Sequence, residues 1–264
     1  MSDWIIVRFG ELTLKGHNRS RFEQAALADI RARLRDFPQL RMEYSYGRLI
    51  IERAGVPFED IRARLDMVFG LHSYSPALRC ASEPEAIRET ALQAMLELPE
   101  QPGTFKVSVR RTNKRFPIDS LQMNGYVGGY VLPKFPEMKV DVHSPDLELH
   151  IDIRDPHTYV YAASYPGLGG YPAGTSGKAM LLLSGGIDSP VAGWLAMKKG
   201  LELEAVHFHS MPYTSERALD KVKQLAERLT AYSRRMTIHL VPFADIQTRL
   251  KQLNEDRLLV TLTR

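Results

Sequence analysis

Leu181-Leu182-Leu183-Ser184-Gly185-Gly186-Ile187-Asp188-Ser189-Pro190 is the stretch from which the fold and the chemistry of this chain are read. Three leucines behind Ala179-Met180 make an apolar run too short for a helix and suited to a buried strand. The run breaks at two adjacent glycines, and from Pro190 the spacing of Val191, Ala192, Leu195 and Ala196 predicts a helix. Proline is tolerated in the first helical turn, where its missing N–H costs nothing, and Asp188 or Ser189 is expected to cap the donors there. Strand, glycine turn and helix start together aim backbone N–H groups and the positive end of a helix dipole at an anion. Gly185 and Gly186 are expected to let the backbone turn sharply and approach a phosphate with no Cβ in the way. The hydroxyls of Ser184 and Ser189 can donate to phosphate oxygens, while the carboxylate of Asp188 can hold a magnesium ion against them.

A Walker A loop is excluded, because it needs Gly-x-x-x-x-Gly-Lys followed by Ser or Thr. Gly177-Lys178 is followed by Ala179, and Pro172 stands where the first glycine belongs. Ser-Gly-Gly-Ile-Asp-Ser instead resembles the pyrophosphate loop of the ATP pyrophosphatase superfamily, whose members split ATP to AMP and pyrophosphate while adenylating a substrate. The competing reading is a tight strand-to-helix turn with small residues for packing.

Around this loop the chain alternates strands and helices. Glu204 to Phe208 and Met236 to Val241 read as strands, and Ser215 to Leu229 and Phe243 to Leu253 as amphipathic helices. Such alternation predicts a parallel sheet with right-handed crossovers and ligands beyond the carboxyl ends of its strands. The loop and His207-Phe208-His209-Ser210 should therefore face one crevice, with His207 and Phe208 bordering an adenine pocket. His207 and His209 are read as pointing to opposite strand faces, so no metal pair is expected of them. Upstream, the glycine- and proline-rich stretch from Pro166 to Lys178 reads as a linker.

The N-terminal part has a different rhythm. A strand from Trp4 to Phe9, a polar basic loop, a helix from about Ser20, a hairpin around Gly47 and a helix over 58–69 give β-α-β-β-α, a ferredoxin-like order. The loop cations Lys15, His17, Arg19 and Arg21 fit a solvated turn and an RNA contact equally well. A strand from Ser73 to Cys80, helices over Glu83 to Leu98 and Ser120 to Leu132, and strands over Leu147 to Arg154 and Thr158 to Ser164 follow. Between them Thr104 to Arg110 alternates strictly, with Phe105, Val107 and Val109 against Lys106, Ser108 and Arg110, as a half-buried strand does. Lys106, Arg110, Arg111, Lys114 and Arg115 lie on this strand and its exit loop, so several can share a face. Cations so grouped meet phosphates and release counterions, which favours RNA contact over a solvated strand end.

Bulk properties set the frame. The 264 residues suffice for one large domain or two to three small ones, and the net charge of +4 is mildly in favour of a nucleic-acid partner. Asp3 and Arg8 interrupt any secretory start, and no apolar run is long enough for a membrane span, so no membrane association is expected. A single cysteine, Cys80, rules out an intramolecular disulfide framework and fits a cytoplasmic location.

The order of parts, with specific matching segments along the whole chain, resembles the tRNA 4-thiouridine synthetase (tRNA uracil 4-sulfurtransferase) family. The matching segments are Gly10-Glu11-Leu12-Thr13-Leu14-Lys15-Gly16, Gly174-Thr175-Ser176-Gly177-Lys178, the phosphate loop, and His207 to Glu216. The resemblance implies α/β and α+β folds in series. These are a ferredoxin-like domain over 1–58, a THUMP RNA-binding domain over 59–166, a linker over 167–177 and an incomplete, Rossmann-like ATP-binding domain over 178–264. It implies that ATP with Mg2+ adenylates uridine 8 of tRNA at O4, and that persulfide sulfur from a cysteine desulfurase then replaces the oxygen. A thiamine-pathway sulfur carrier protein as a further partner, and a homodimer, are also implied. Carried over by motif, Leu182, Leu183, Ser184, Gly185, Gly186, Asp188, Ser189, His207, Phe208 and Arg264 would bind ATP, with Asp188 catalytic and holding the metal. The family's sulfur-carrying cysteines lie beyond Arg264, so the chain is expected to be truncated, with Cys80 a structural thiol. A noncatalytic tRNA-binding fragment, or another ATP pyrophosphatase such as an amide-forming synthetase, are the alternative readings.

Overall fold

The computed structural model describes residues 3–10, 12, 18–45, 47–112, 115–211 and 214–253. The chain divides into two compact units. One comprises Met1–Gly10, Ala32–Leu65 and Leu71–Gly167, and the other Glu11–Arg31, Asp66–Gly70 and Leu168–Arg264.

The first elements are β1 (Trp4–Arg8), α1 (Arg19–Arg33), β2 (Arg41–Ser45), β3 (Arg48–Glu52) and α2 (Phe58–Leu65), in the ferredoxin-like order expected. There follow β4 (Ser73–Ala81), α3 (Pro84–Leu96), β5 (Thr104–Arg111), α4 (Ser120–Val131), β6 (Lys139–Val140), β7 (Leu147–Ile153), β8 (His157–Tyr161) and β9 (Tyr165–Pro166). These strands form one sheet in the order β2-β3-β1-β4-β8-β7-β5-β6, with β9 paired to β4. The long strand β4 is shared: Ser73 to Ala77 pair antiparallel with β1, and Leu78 to Ala81 with β8.

Period-two alternation decides what each face of this sheet does. Phe105 and Val107 of β5 and Leu149 and Ile151 of β7 bury themselves under Ile87 and Met95 of α3 and Met123, Val127 and Val131 of α4. Asp119 starts α4 by accepting a 2.8 Å hydrogen bond from the N–H of Gln122, a side-chain cap that satisfies one free donor of the first turn. Register puts Lys106, Ser108 and Arg110 on the other face, level with Glu148, His150 and Asp152.

The second unit carries β10 (Lys178–Leu182), α5 (Asp188–Lys198), β11 (Glu202–His209), α6 (Glu216–Ser233), β12 (Ile238–Pro242) and α7 (Ala244–Leu253). Its sheet is parallel, in the order β10-β11-β12. Leu181, Leu183, Leu203 and Ala205 pack on one side against Met197 of α5 and Val222, Ala226 and Leu229 of α6. Helix and strand come so close here that a β-carbon on Gly193 would lie 2.7 Å from Leu181 Cδ2, so a larger residue would require the Leu181 side chain to shift. Ser215 caps α6 by accepting from the N–H of Ala218 at 3.3 Å. The glycine-rich stretch before β10 is hydrogen-bonded down: the N–H of Tyr171 donates to Lys198 O and that of Ser176 to Gly200 O, each at 2.9 Å. Among the described residues no helix is long and apolar enough to cross a membrane.

Candidate functional site

The loop Ser184 to Ile187 leaves the carboxyl end of β10 and enters α5, the strand-turn-helix geometry read from the sequence. Two details differ. Helix α5 begins at Asp188, its N-cap position is Ile187 in helical conformation, and no side chain caps it. Ser189 is turned back instead, its Oγ accepting from the N–H of Ser184 at 3.0 Å and meeting Ser184 Oγ at 3.1 Å. Nor do the two glycines turn the chain through a left-handed conformation, since neither has a positive φ. A β-carbon on Gly186 would meet Ser184 Oγ at 3.4 Å, a contact the fold could accept. The fold itself therefore does not dictate glycine at 186; what glycine leaves there is open space over the loop.

The loop's donors are only partly used. The N–H of Gly186 donates to Ser184 Oγ at 3.3 Å. Among the described residues no acceptor is found for the N–H of Gly185 or Ile187, and the first turn of any helix leaves further donors free. Asp188 is exposed, with no hydrogen bond or ion pair among the described residues. The arrangement presents N–H groups, two hydroxyls and one uncommitted carboxylate at a helix N-terminus.

Beside the loop lies a cleft of about 660 Å³ lined by Leu182, Leu183, Ser184, Val206, His207, Phe208, Ser210, Thr214, Phe243 and Gln247. The parallel register brings Leu182 level with Val206, and Phe208 level with Val241, on the face that α5 and α6 do not cover. Phe208 and Phe243 meet edge to face, with ring centroids 5.9 Å apart. Phe208 is 51% and Leu182 68% exposed, so the cleft has an open apolar wall. His207 Nδ1 lies 2.8 Å from the carbonyl oxygen of Leu183 and ties β11 to the strand end that enters the loop. Leu182, Leu183, Ser184, His207 and Phe208 are thus brought together, with Gly185, Gly186, Asp188 and Ser189 adjoining them; Arg264 lies outside the described residues. Phe243 and Gln247 had no local sequence signal, because α7 reaches the cleft through the crossover from β12.

The expectation for His207 and His209 is corrected. Residues two apart on one strand share a face, and both lie within the continuous strand β11. His207 already uses Nδ1 on Leu183, and no group of three or more His, Cys, Asp or Glu suited to a metal is found among the described residues.

The basic cluster of the first unit splits in two. Lys106 and Arg110 project from the face opposite α3 and α4, and Lys106 Nζ stands 3.8 Å from Glu148. Arg111 projects toward the helices, where its Nη1 donates to the carbonyl oxygens of Phe116 at 3.1 Å and Ile118 at 2.9 Å. Arg115 is exposed and lines a cleft of about 470 Å³ with Thr112, Arg154, His157 and Tyr159, while Lys114 lies outside the described residues. On the same sheet face Arg79 stacks over Trp4 at 3.9 Å and Arg8 over Tyr161 at 4.5 Å. Burial pushes the His150 imidazole below its ordinary pKa, opposed by the Glu148 carboxylate, and burial likewise lowers Arg48. Arg48 and Arg154 both bond Asp152 Oδ2, the latter at 2.8 Å.

Comparison with known proteins places these features. Residues 4–75 match the ThiI ferredoxin-like domain, 81–163 the THUMP domain, and 174–264 the family described as Thiamine biosynthesis protein (ThiI). A Brevibacillus brevis protein named "Probable tRNA sulfurtransferase" is 45% identical over 262 residues, covering 99% of this chain and 66% of that protein. One of the same name from Geobacillus thermodenitrificans is 48% identical over 250 residues, covering 95% and 62%. The chain thus spans about two thirds of the length of these curated relatives. The crystal structure of a 4-thiouridine synthetase–RNA complex with bound ATP superposes with a TM-score of 0.84 at 32% identity, over 98% of this chain and 67% of that one. A Pyrococcus horikoshii Ot3 protein superposes at 0.77 with 30% identity, over 94% of this chain and 82% of that one. With ferredoxin-like, THUMP and phosphate-loop parts matched in this order, the chain belongs to the ThiI family.

Proposed function

We propose that the second unit binds ATP with Mg2+ at the loop and its cleft, and that the first unit binds tRNA. The chain is then the ATP- and tRNA-binding part of a cytoplasmic enzyme that replaces O4 of uridine 8 by sulfur. One observation carries the reading. A phosphate loop with unaccepted N–H groups adjoins an open apolar cleft, in a family with a solved relative that holds RNA and ATP.

Leu182, Leu183, His207 and Phe208 would flank the base, and Ser184, Gly185, Gly186 and Ser189 the phosphates, with Arg264 a further contact implied by the family motif. Asp188 fits Mg2+: its carboxylate is exposed and uncommitted, and a lone carboxylate suits a metal whose other ligands are water and the nucleotide's own phosphates. Bound there, Mg2+ would screen the charge that builds on departing pyrophosphate. Uracil O4 attacks the α-phosphorus and pyrophosphate leaves; the outer sulfur of a protein persulfide, charged by a cysteine desulfurase, then adds at C4 as AMP departs. A second protein thiol attacks the carrier sulfur, breaking the S–S bond, leaving sulfur on the ring and forming a disulfide that must be reduced before the next turnover. The same sulfur relay would serve a thiamine-pathway carrier protein, in a homodimeric enzyme.

Lys106, Arg110 and Arg115 would meet tRNA phosphates, with Arg111 supporting the loop beneath them. Cys80 is not the sulfur carrier in this reading, because burial pushes its thiol above the ordinary value and disfavours the reactive thiolate. Calorimetric titration of the chain with Mg-ATP, and filter binding with an unmodified tRNA transcript, test the proposal. Binding of both is expected, and failure of either would overturn the corresponding half.

A further inference from the structure

The phosphate loop lacks a cation of its own. Between Lys178 and Lys198 the sequence holds neither lysine nor arginine, and its one charged side chain, Asp188, is negative. A triphosphate bound there would meet N–H dipoles and hydroxyls with no positive side chain from residues 179–197; Lys178 stands at the opposite, amino end of β10, 3.7 Å from Glu202. Backbone donors alone leave most of that charge uncompensated, and the Walker A loop supplies a lysine for this purpose.

The neighbouring helix provides one. A β-carbon placed on Gly185 would lie 3.8 Å from Lys221 Cδ and 4.0 Å from Val222 Cγ2. Val222 is buried with Leu183, Ala205 and Ala226, which fixes the second turn of α6 against the sheet beside the loop. The Lys221 stem therefore runs past Gly185 from an anchored helix, while its side chain makes no hydrogen bond or ion pair among the described residues. Lys223, two residues on, is held by Asp220 at 3.7 Å. We propose that Lys221 is the cation of the pyrophosphate site, its ammonium reaching the β- and γ-phosphates of ATP and the pyrophosphate that leaves. The assignment rests on the nucleotide-site reading and adds to it a residue from outside the loop motif. A flexible four-carbon stem ending in a compact point charge suits a group that follows phosphate from bound ATP to free product.

The test is titration of the 264-residue chain, and of its Lys221→Met and Lys221→Arg variants, with Mg-ATP, inorganic pyrophosphate and AMP. Lys221→Met should weaken ATP and pyrophosphate at least about tenfold, as loss of a charge-assisted contact does. AMP, which lacks the two outer phosphates, should change by no more than about twofold, and thermal unfolding should stay put. Lys221→Arg should recover most of the lost affinity. Unchanged ATP and pyrophosphate binding in Lys221→Met, or an equal loss for AMP, would overturn the assignment while the nucleotide site stands. Absence of all binding by the unaltered chain would overturn the site itself, and the lysine's role with it.

Discussion

His207 Nδ1 stands 2.8 Å from the carbonyl oxygen of Leu183, one residue before the phosphate loop begins. A carbonyl only accepts, so Nδ1 carries the hydrogen. The bond adds to the ladder contact in which the N–H of Leu183 donates to Val206 O at 2.9 Å. Replacing His207 by Leu leaves that carbonyl without its side-chain partner, at a cost of about 1 to 3 kcal/mol. Urea unfolding should show the loss, and ATP affinity should fall because the strand end that aims the loop is freed. His207→Asn, which can still donate, should lie between the two.

Asp188 gives a cleaner separation of fold from chemistry. Its carboxylate makes no capping bond, so Asp188→Asn should shift stability by less than about 0.5 kcal/mol. The Mg2+ dependence of ATP binding should flatten, and tRNA-dependent pyrophosphate release should collapse while tRNA affinity persists. Near-normal release by the Asn variant would remove Asp188 from the reaction.

The two sides of β5 predict two kinds of arginine variant. Arg110→Ala and Arg115→Ala should each weaken tRNA binding and lower the slope of log affinity against log salt by about 1, read by filter binding across a salt series. Arg111→Ala should behave differently, because its guanidinium holds the carbonyls of Phe116 and Ile118. It should lower the melting temperature and weaken tRNA only through the loosened exit loop.

Cys80 provides a pH signature. Burial is the main cause holding its thiol above its ordinary pKa, with a hydrogen bond to Thr90 opposing it. A pKa raised in the fold contributes stability that is full below the unfolded value and is lost as pH rises through the folded one. Stability measured by urea should therefore decline above pH 9, and Cys80→Ser should make that decline shallower, leaving the part due to the buried Tyr159 phenol, which burial also raises. Alkylation by iodoacetamide near pH 8 should be at least about tenfold slower in the native chain than in urea.

What the sequence disclosed was local. The strict alternation of Thr104 to Arg110 fixed which side of β5 is core, and the three leucines before Ser184 marked a strand, although not the buried one expected: Leu183 is buried while Leu182 lies exposed on the face that α5 and α6 leave open. Ser215 declared the start of α6 through its capping oxygen. Relations across the sheet were out of reach: Lys221 comes beside Gly185, and Phe243 beside Phe208, only once crossovers set neighbours. The histidine pair failed for another reason, a misread strand period, and register corrects it. Ser189 was misjudged as a cap because its hydroxyl has a nearer partner at Ser184, a choice that composition does not reveal. The basic cluster was legible as charge but not as direction, so Arg111 was grouped with residues whose side chains leave from the other face.

Strand β4 has a consequence for how this polypeptide can be divided or recombined. Its first five residues complete the sheet of the ferredoxin-like part and its last four complete that of the THUMP part. The two family domains therefore meet inside a hydrogen-bonded strand, and neither owns it. A cut before Ser73 would leave β1 with a bare edge of unpaired N–H and C=O groups, inviting association with another chain. A transplant of either part must carry the whole of Ser73–Ala81, so a workable junction lies outside this strand.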